Sequence, residues 1–150
     1  MLCGLSFKKL LEKITIMKIK LTNVSVDDQD KALKFYTEVL GFVKKLDFPM
    51  GKFKWLTVVS AEEPDGTQLL LAPNDNSFNS AAKTYQESIF EQGIPAATFF
   101  VEDVQEEFER LKKLGVRFTV TPTKVTGSTI AVLDDTCGNL IQLTQLAWQM

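Results

Sequence analysis

One segment of this chain occurs twice. Val26-Asp27-Asp28-Gln29-Asp30-Lys31-Ala32-Leu33-Lys34-Phe35-Tyr36 runs on to Leu40-Gly41-Phe42. Its echo, Val101-Glu102-Asp103-Val104-Gln105-Glu106-Glu107-Phe108-Glu109-Arg110-Leu111, runs on to Leu114-Gly115-Val116. Val26 aligns with Val101, Asp28 with Asp103, Leu33 with Phe108, and Leu40-Gly41 with Leu114-Gly115 after a small slip. A period near half the chain is too long for a solenoid. It implies two similar modules related by an approximate two-fold axis, a pairing that makes a groove or cavity between or within them. The other constraint is an absence, because none of the 150 residues is histidine.

A chain of this length forms one domain, or two small modules sharing a core. It buries roughly 68–70% of its unfolded surface and needs no disulfide or structural metal to fold. Seventeen Lys and Arg against nineteen Asp and Glu leave a net charge of −2. No basic stripe interleaved with aromatics is present, so nucleic acid is not an expected partner. Cys3 and Cys137 make no CxxC motif, which suits a reducing, cytoplasmic setting. The first sixteen residues read as an extension, with Leu5, Leu10, Leu11 and Ile14 spaced for a short amphipathic helix. Lys8-Lys9 interrupt its apolar start, so neither a membrane span nor a secretory signal is expected.

Residues 17–73 form the expected first module. Lys18–Val26 alternates polar and apolar residues, the period of a half-buried strand. Asp27-Asp28 stop it and can cap a helix over Gln29–Leu40, which Gly41 ends in the left-handed conformation. Strands are expected at Phe42–Phe48, Lys52–Ser60 and Thr67–Ala72, separated by turns at Pro49-Met50-Gly51 and Glu62–Gly66. Residues 74–94 form a linker, with a polar loop at Asn74–Ser77 and a possible helix from Ser80 to Gln92. Residues 95–150 repeat the order. They give a strand at Ala96–Val101, a helix at Val104–Leu114 with capping-box spacing between Asp103 and Glu106, and strands at Arg117–Thr121, Thr129–Leu133 and Leu140–Gln145. Each half reads βαβββ, an α+β organisation.

This duplicated order, with its V-x-D, F-Y and L-G landmarks, resembles the vicinal oxygen chelate superfamily of glyoxalases, bleomycin resistance proteins and extradiol dioxygenases. Asp134-Asp135-Thr136-Cys137-Gly138-Asn139-Leu140-Ile141-Gln142-Leu143 is similar to that superfamily's D-P-D-G-x-x-I-E-L ending. Leu56–Ser60, Ala81–Gln86 and Asp134–Gln142 resemble an uncharacterised bacterial glyoxalase-like branch. The resemblance implies two βαβββ modules forming a curved mixed sheet around a cavity, and a homodimer. It also places metal ligands, usually His, Gln or Glu, at four positions that here hold Leu21, Leu70, Ala96 and Gln142. Leucine and alanine offer a divalent cation no lone pair. The expectation is therefore no metal, no cofactor and no catalytic residue.

The same analogy turns one strand face of each module toward the cavity. Leu21, Asn23, Ser25, Trp55, Thr57, Gln68 and Leu70 come from the first, and Ala96, Thr98, Phe100, Gln142 and Thr144 from the second. This lining is apolar with a few amides and hydroxyls, suited to a small, weakly polar ligand. It could equally fill a solid core. Cys137 is the one strong nucleophile in view. It reads as a turn residue that could be exposed, with Asp134 and Asp135 raising its pKa. The carboxylates as a group read as helix caps and turn solubilisers. Three function classes remain open: metal-independent small-molecule binding, a metal-dependent glyoxalase-like lyase or dioxygenase with non-standard ligands, and a structural dimerisation module.

Overall fold

Two four-stranded sheets carry the duplication. The structure is a computed structural model that describes residues 15–75 and 80–148. The expected helix around Leu5–Ile14, and Asn76 and Ser77 of the expected loop, lie outside the described residues. In the first module β1 (Leu21–Val26), β2 (Val43–Met50), β3 (Phe53–Val59) and β4 (Gln68–Pro73) pair in the order β1-β4-β3-β2. In the second, β5 (Ala97–Phe100), β6 (Phe118–Val125), β7 (Ser128–Asp134) and β8 (Leu140–Leu146) repeat that order as β5-β8-β7-β6. The outer pairs β1–β4 and β5–β8 are parallel, because a helix crosses over within each module; the other pairs are antiparallel.

The capping chemistry explains where both module helices begin. The Asp28 side chain accepts from the Lys31 N–H at 2.9 Å, and Asp103 accepts from the Glu106 N–H at 3.0 Å. Gly41 and Gly115 take φ of +88° and +86° after the helices, a conformation glycine adopts without a Cβ clash. Helix α1 departs from the regular helix expected to Leu40. Its α-helical part, Gln29–Lys34, continues as a π-helical turn over Phe35–Val39. Neighbours on a regular helix point about 100° apart. Phe35 and Tyr36 are both buried, and the wider turn accommodates both rings. Helix α2 (Ser80–Glu91) lies in the linker, and α3 (Val104–Lys113) buries Val104, Phe108 and Leu111.

One core serves both modules. Val24, Val26, Ala32, Tyr36, Leu56, Val58 and Leu71 from the first merge with Val104, Leu111, Ala131, Leu133 and Ile141 from the second. These strand residues share the helix-bearing face of each sheet, so their alternates point away from the core. Edge strand β2 runs past its expected turn through Pro49-Met50, β6 runs past its expected end at Thr121 through Pro122, and both carry register irregularities. Proline and irregular pairing are the usual features of an edge. No helix among the described residues is long and apolar enough to cross a membrane.

Candidate functional site

Strand register fixes which side chains share the faces turned away from the core. Asn23 lies beside Leu70, Leu70 beside Thr57, and Thr57 beside Leu46, giving one lateral row across the first sheet. Leu21 pairs with Gln68, and Trp55 with Phe48. The Phe48 and Trp55 rings are stacked, with centroids 6.5 Å apart. Leu21 is 43% and Phe48 46% exposed, so this apolar face is open. In the second sheet Thr98 lies beside Gln142, and Phe100 beside Thr144; Phe100 is 57% exposed.

The polar groups on these faces largely bond to one another. Thr57 Oγ1 donates to Gln68 Oε1 at 2.7 Å and accepts from the Leu46 N–H at 3.2 Å. Gln142 Nε2 donates to Thr144 Oγ1 at 3.0 Å. At the four positions where the resemblance places metal ligands stand two leucines, an alanine and this amide. No cluster of three or more His, Cys, Asp or Glu side chains suited to a metal ion occurs among the described residues. This donor set does not fit a divalent cation.

Within one chain the predicted residues are distributed over separate surfaces. A cavity of about 250 Å³ takes Asn23, Ser25 and Ala96, together with Tyr85 and Gln86 of α2. A cavity of about 570 Å³ between the modules takes Thr98 and Phe100, together with Phe42, Phe99, Glu62, Glu63 and Glu107. Leu21, Trp55, Thr57, Gln68, Leu70, Gln142 and Thr144 line neither cavity. Of the larger one, sequence reasoning named only Thr98 and Phe100, because Leu40–Phe42, Ser60–Glu63 and Glu107 come from loop and helix segments that strand alternation does not rank.

Two expectations for the β7–β8 turn are corrected. Asp135 solubilises nothing: it is fully buried, accepting from Tyr36 Oη at 2.7 Å, Asn139 Nδ2 at 2.8 Å, and the Cys137 and Asn139 N–H groups at 2.7 and 2.9 Å. Burial still pushes its pKa above the ordinary carboxylate value, against those bonds. Cys137 is also fully buried rather than exposed, because its turn folds under α2. Burial, then the nearby Asp135 and Asp27, push its thiol up to about 12. A thiol so held is not a nucleophile at neutral pH.

The linker helix supplies a polar clamp that the sequence did not suggest. Gln86 Nε2 shares its two hydrogens among Ser25 O at 2.8 Å, Asn139 Oδ1 at 3.1 Å and Cys137 O at 3.2 Å. Its Oε1 accepts from Asn74 Nδ2 at 2.9 Å. Gln29 plays a related part where β3 and β4 diverge. Its amide donates to Lys54 O and Leu71 O at 2.8 and 2.9 Å and accepts from the Lys54 N–H at 3.0 Å. Amides satisfied this fully, Gln86 buried and Gln29 half-buried, are structural supports.

The model of the Glyoxalase/Bleomycin resistance protein/Dioxygenase superfamily matches residues 18–143. The chain is 59% identical over 129 residues to the uncharacterized protein YurT of Bacillus subtilis, covering 86% of this chain and 99% of that one. It is 30% identical over 134 residues to a lactoylglutathione lyase of Neisseria meningitidis serogroup A, covering 86% and 91%. Among solved structures, it resembles TnmS3, an antibiotic-binding protein from Streptomyces sp. CB03234. That match has a TM-score of 0.70 and 26% identity, and covers 89% and 99% of the two chains.

Proposed function

Because the chain belongs to the Glyoxalase/Bleomycin resistance protein/Dioxygenase superfamily, we propose that it binds a small, weakly polar molecule without a metal ion, and that it is not an enzyme. The observation that carries this reading is the open face of Leu21, Leu46, Phe48, Trp55 and Leu70. It offers stacked rings and aliphatic side chains but no carboxylate or imidazole. Flat apolar compounds bind such surfaces through area removed from water and ring stacking. The likeness to an antibiotic-binding protein supports the same reading. Thr98, Phe100, Gln142 and Thr144 form the corresponding face of the second module, and Asn23, Ser25 and Ala96 share the smaller cavity beside α2.

The proposed working form is a homodimer in the cytoplasm. β2 is exposed along its whole length and shows solvent Val43, Leu46, Phe48 and Met50. A second copy covering it would remove an apolar edge that an isolated chain leaves open.

The competing reading is a metal-dependent lyase, favoured by the 30% identity to lactoylglutathione lyase. Such chemistry needs a Lewis acid to hold an enediolate, and the donors at the four positions weigh against it. An NMR titration with 2-naphthol, in buffer containing EDTA, separates the two. Shifts at the Trp55 indole N–H and the Leu21 and Phe48 amides, with the two amide shifts lost in Trp55→Ala, support the proposal; binding that requires added Zn²⁺ or Ni²⁺ refutes it.

A further inference from the structure

We propose that the cavity between the modules is a second binding site, selective for small organic cations such as ammonium groups carried on an apolar body. This inference does not rest on the sheet-face reading. At about 570 Å³ the cavity is in the size range of small-molecule sites. Phe42 and Phe99 meet edge to face there, with centroids 4.9 Å apart. Phe100, also on the lining, is 57% exposed and so available to a bound molecule.

The charge on the lining is of one sign. Glu62, Glu63 and Glu107 contribute carboxylates, and among the described residues no lysine or arginine lines the cavity. Glu107 is neutralised by its ion pair with Arg110. Arg110 also donates to Val39 O at 3.0 Å, which ties α3 to the end of α1 at the cavity's margin. Glu62 and Glu63 have no basic partner among the described residues. Lys45 of β2, which reaches that turn, is committed to Asp65 and Pro64 O. Aromatic rings, with two carboxylates that have no basic partner among the described residues, around one space together favour a soft cation over a neutral or anionic molecule.

The test compares phenyltrimethylammonium with its neutral isostere tert-butylbenzene, each titrated into the full chain and followed by NMR shifts at Phe42 and Phe99, which line this cavity and lie outside the sheet face. The cation is expected to bind at least about tenfold more tightly than the isostere, and to lose about tenfold in the double variant Glu62→Gln, Glu63→Gln. Both residues sit in an exposed turn, so that variant should fold, and its circular dichroism should match the parent. Equal binding of the two probes would overturn the proposal, leaving an unselective apolar crevice. So would an undiminished affinity in the double variant, or the absence of shifts at these residues. Because the Trp55 indole reports the sheet face separately, failure here is distinguishable from failure there.

Discussion

The Tyr36 hydroxyl donates to the Asp135 carboxylate at 2.7 Å, joining the π-helical turn of the first module to the last turn of the second inside their shared core. Both residues are fully buried. Burial, with the carboxylate beside it, holds the Tyr36 hydroxyl protonated well above its ordinary value. The bond therefore acts as a permanent donor bridge between the modules rather than as an acid–base pair open to substrate.

Removing that donor should be costly, since Asp135 would remain buried with one bond fewer. Tyr36→Phe is expected to lower stability by about 1–3 kcal/mol, measured by urea denaturation. The pH dependence has a defined sign. Asp135 binds its proton more tightly folded than unfolded, so its contribution favours the fold at low pH. That contribution is lost as pH rises from the ordinary value near 3.8. Asp135→Asn should remove this slope. Tyr36 is raised too, so its contribution is present below about 10 and lost above. Spectrophotometric titration of Tyr85→Phe should show tyrosinate appearing only as the protein unfolds.

The Gln86 clamp makes Gly138 sensitive. A Cβ built at Gly138 would lie 2.7 Å from Gln86 Nε2, and φ there is +100°. Gly138→Ala should therefore destabilise by more than about 1 kcal/mol. If the damage comes through the clamp, Gln86→Ala combined with Gly138→Ala should cost less than the sum of the two single changes. Additive costs in that cycle would point to backbone strain alone.

Much of this fold was legible along the chain. Asp28 and Asp103 cap their helices and Gly41 and Gly115 end them because such chemistry depends on near neighbours in sequence. Strand alternation likewise separated Leu56 and Val58 from Trp55 and Thr57. What escaped depends on contacts between distant segments. Asp135 looked like any turn carboxylate until Tyr36 lay against it, Gln86 like any helix amide until Ser25 and Asn139 converged on it. The widening of α1 arises from burying two adjacent rings, which no repeat pattern announces. For the site, register put the first-module residues on one face. Whether the two faces cooperate depends on assembly, which a single chain does not encode locally.

Cys137 should resist alkylation. With the thiol buried and raised to about 12, a Cys3→Ser variant should react with iodoacetamide at neutral pH only in denaturant. Fast labelling of the native protein would show that the turn opens readily.

The dimer proposal predicts that sedimentation velocity finds twice the chain mass at micromolar concentration. Val43→Lys combined with Met50→Lys, both exposed on β2, should return a folded monomer. A monomeric parent would remove β2 as an interface.

The central claim is binding without metal, and native mass spectrometry of untagged protein before and after EDTA tests it most directly. The account predicts no stoichiometric divalent ion in either spectrum, with any organic adduct surviving chelation. One divalent ion per chain, lost with EDTA, would contradict it and return the chain to the metal-dependent enzymes of its superfamily.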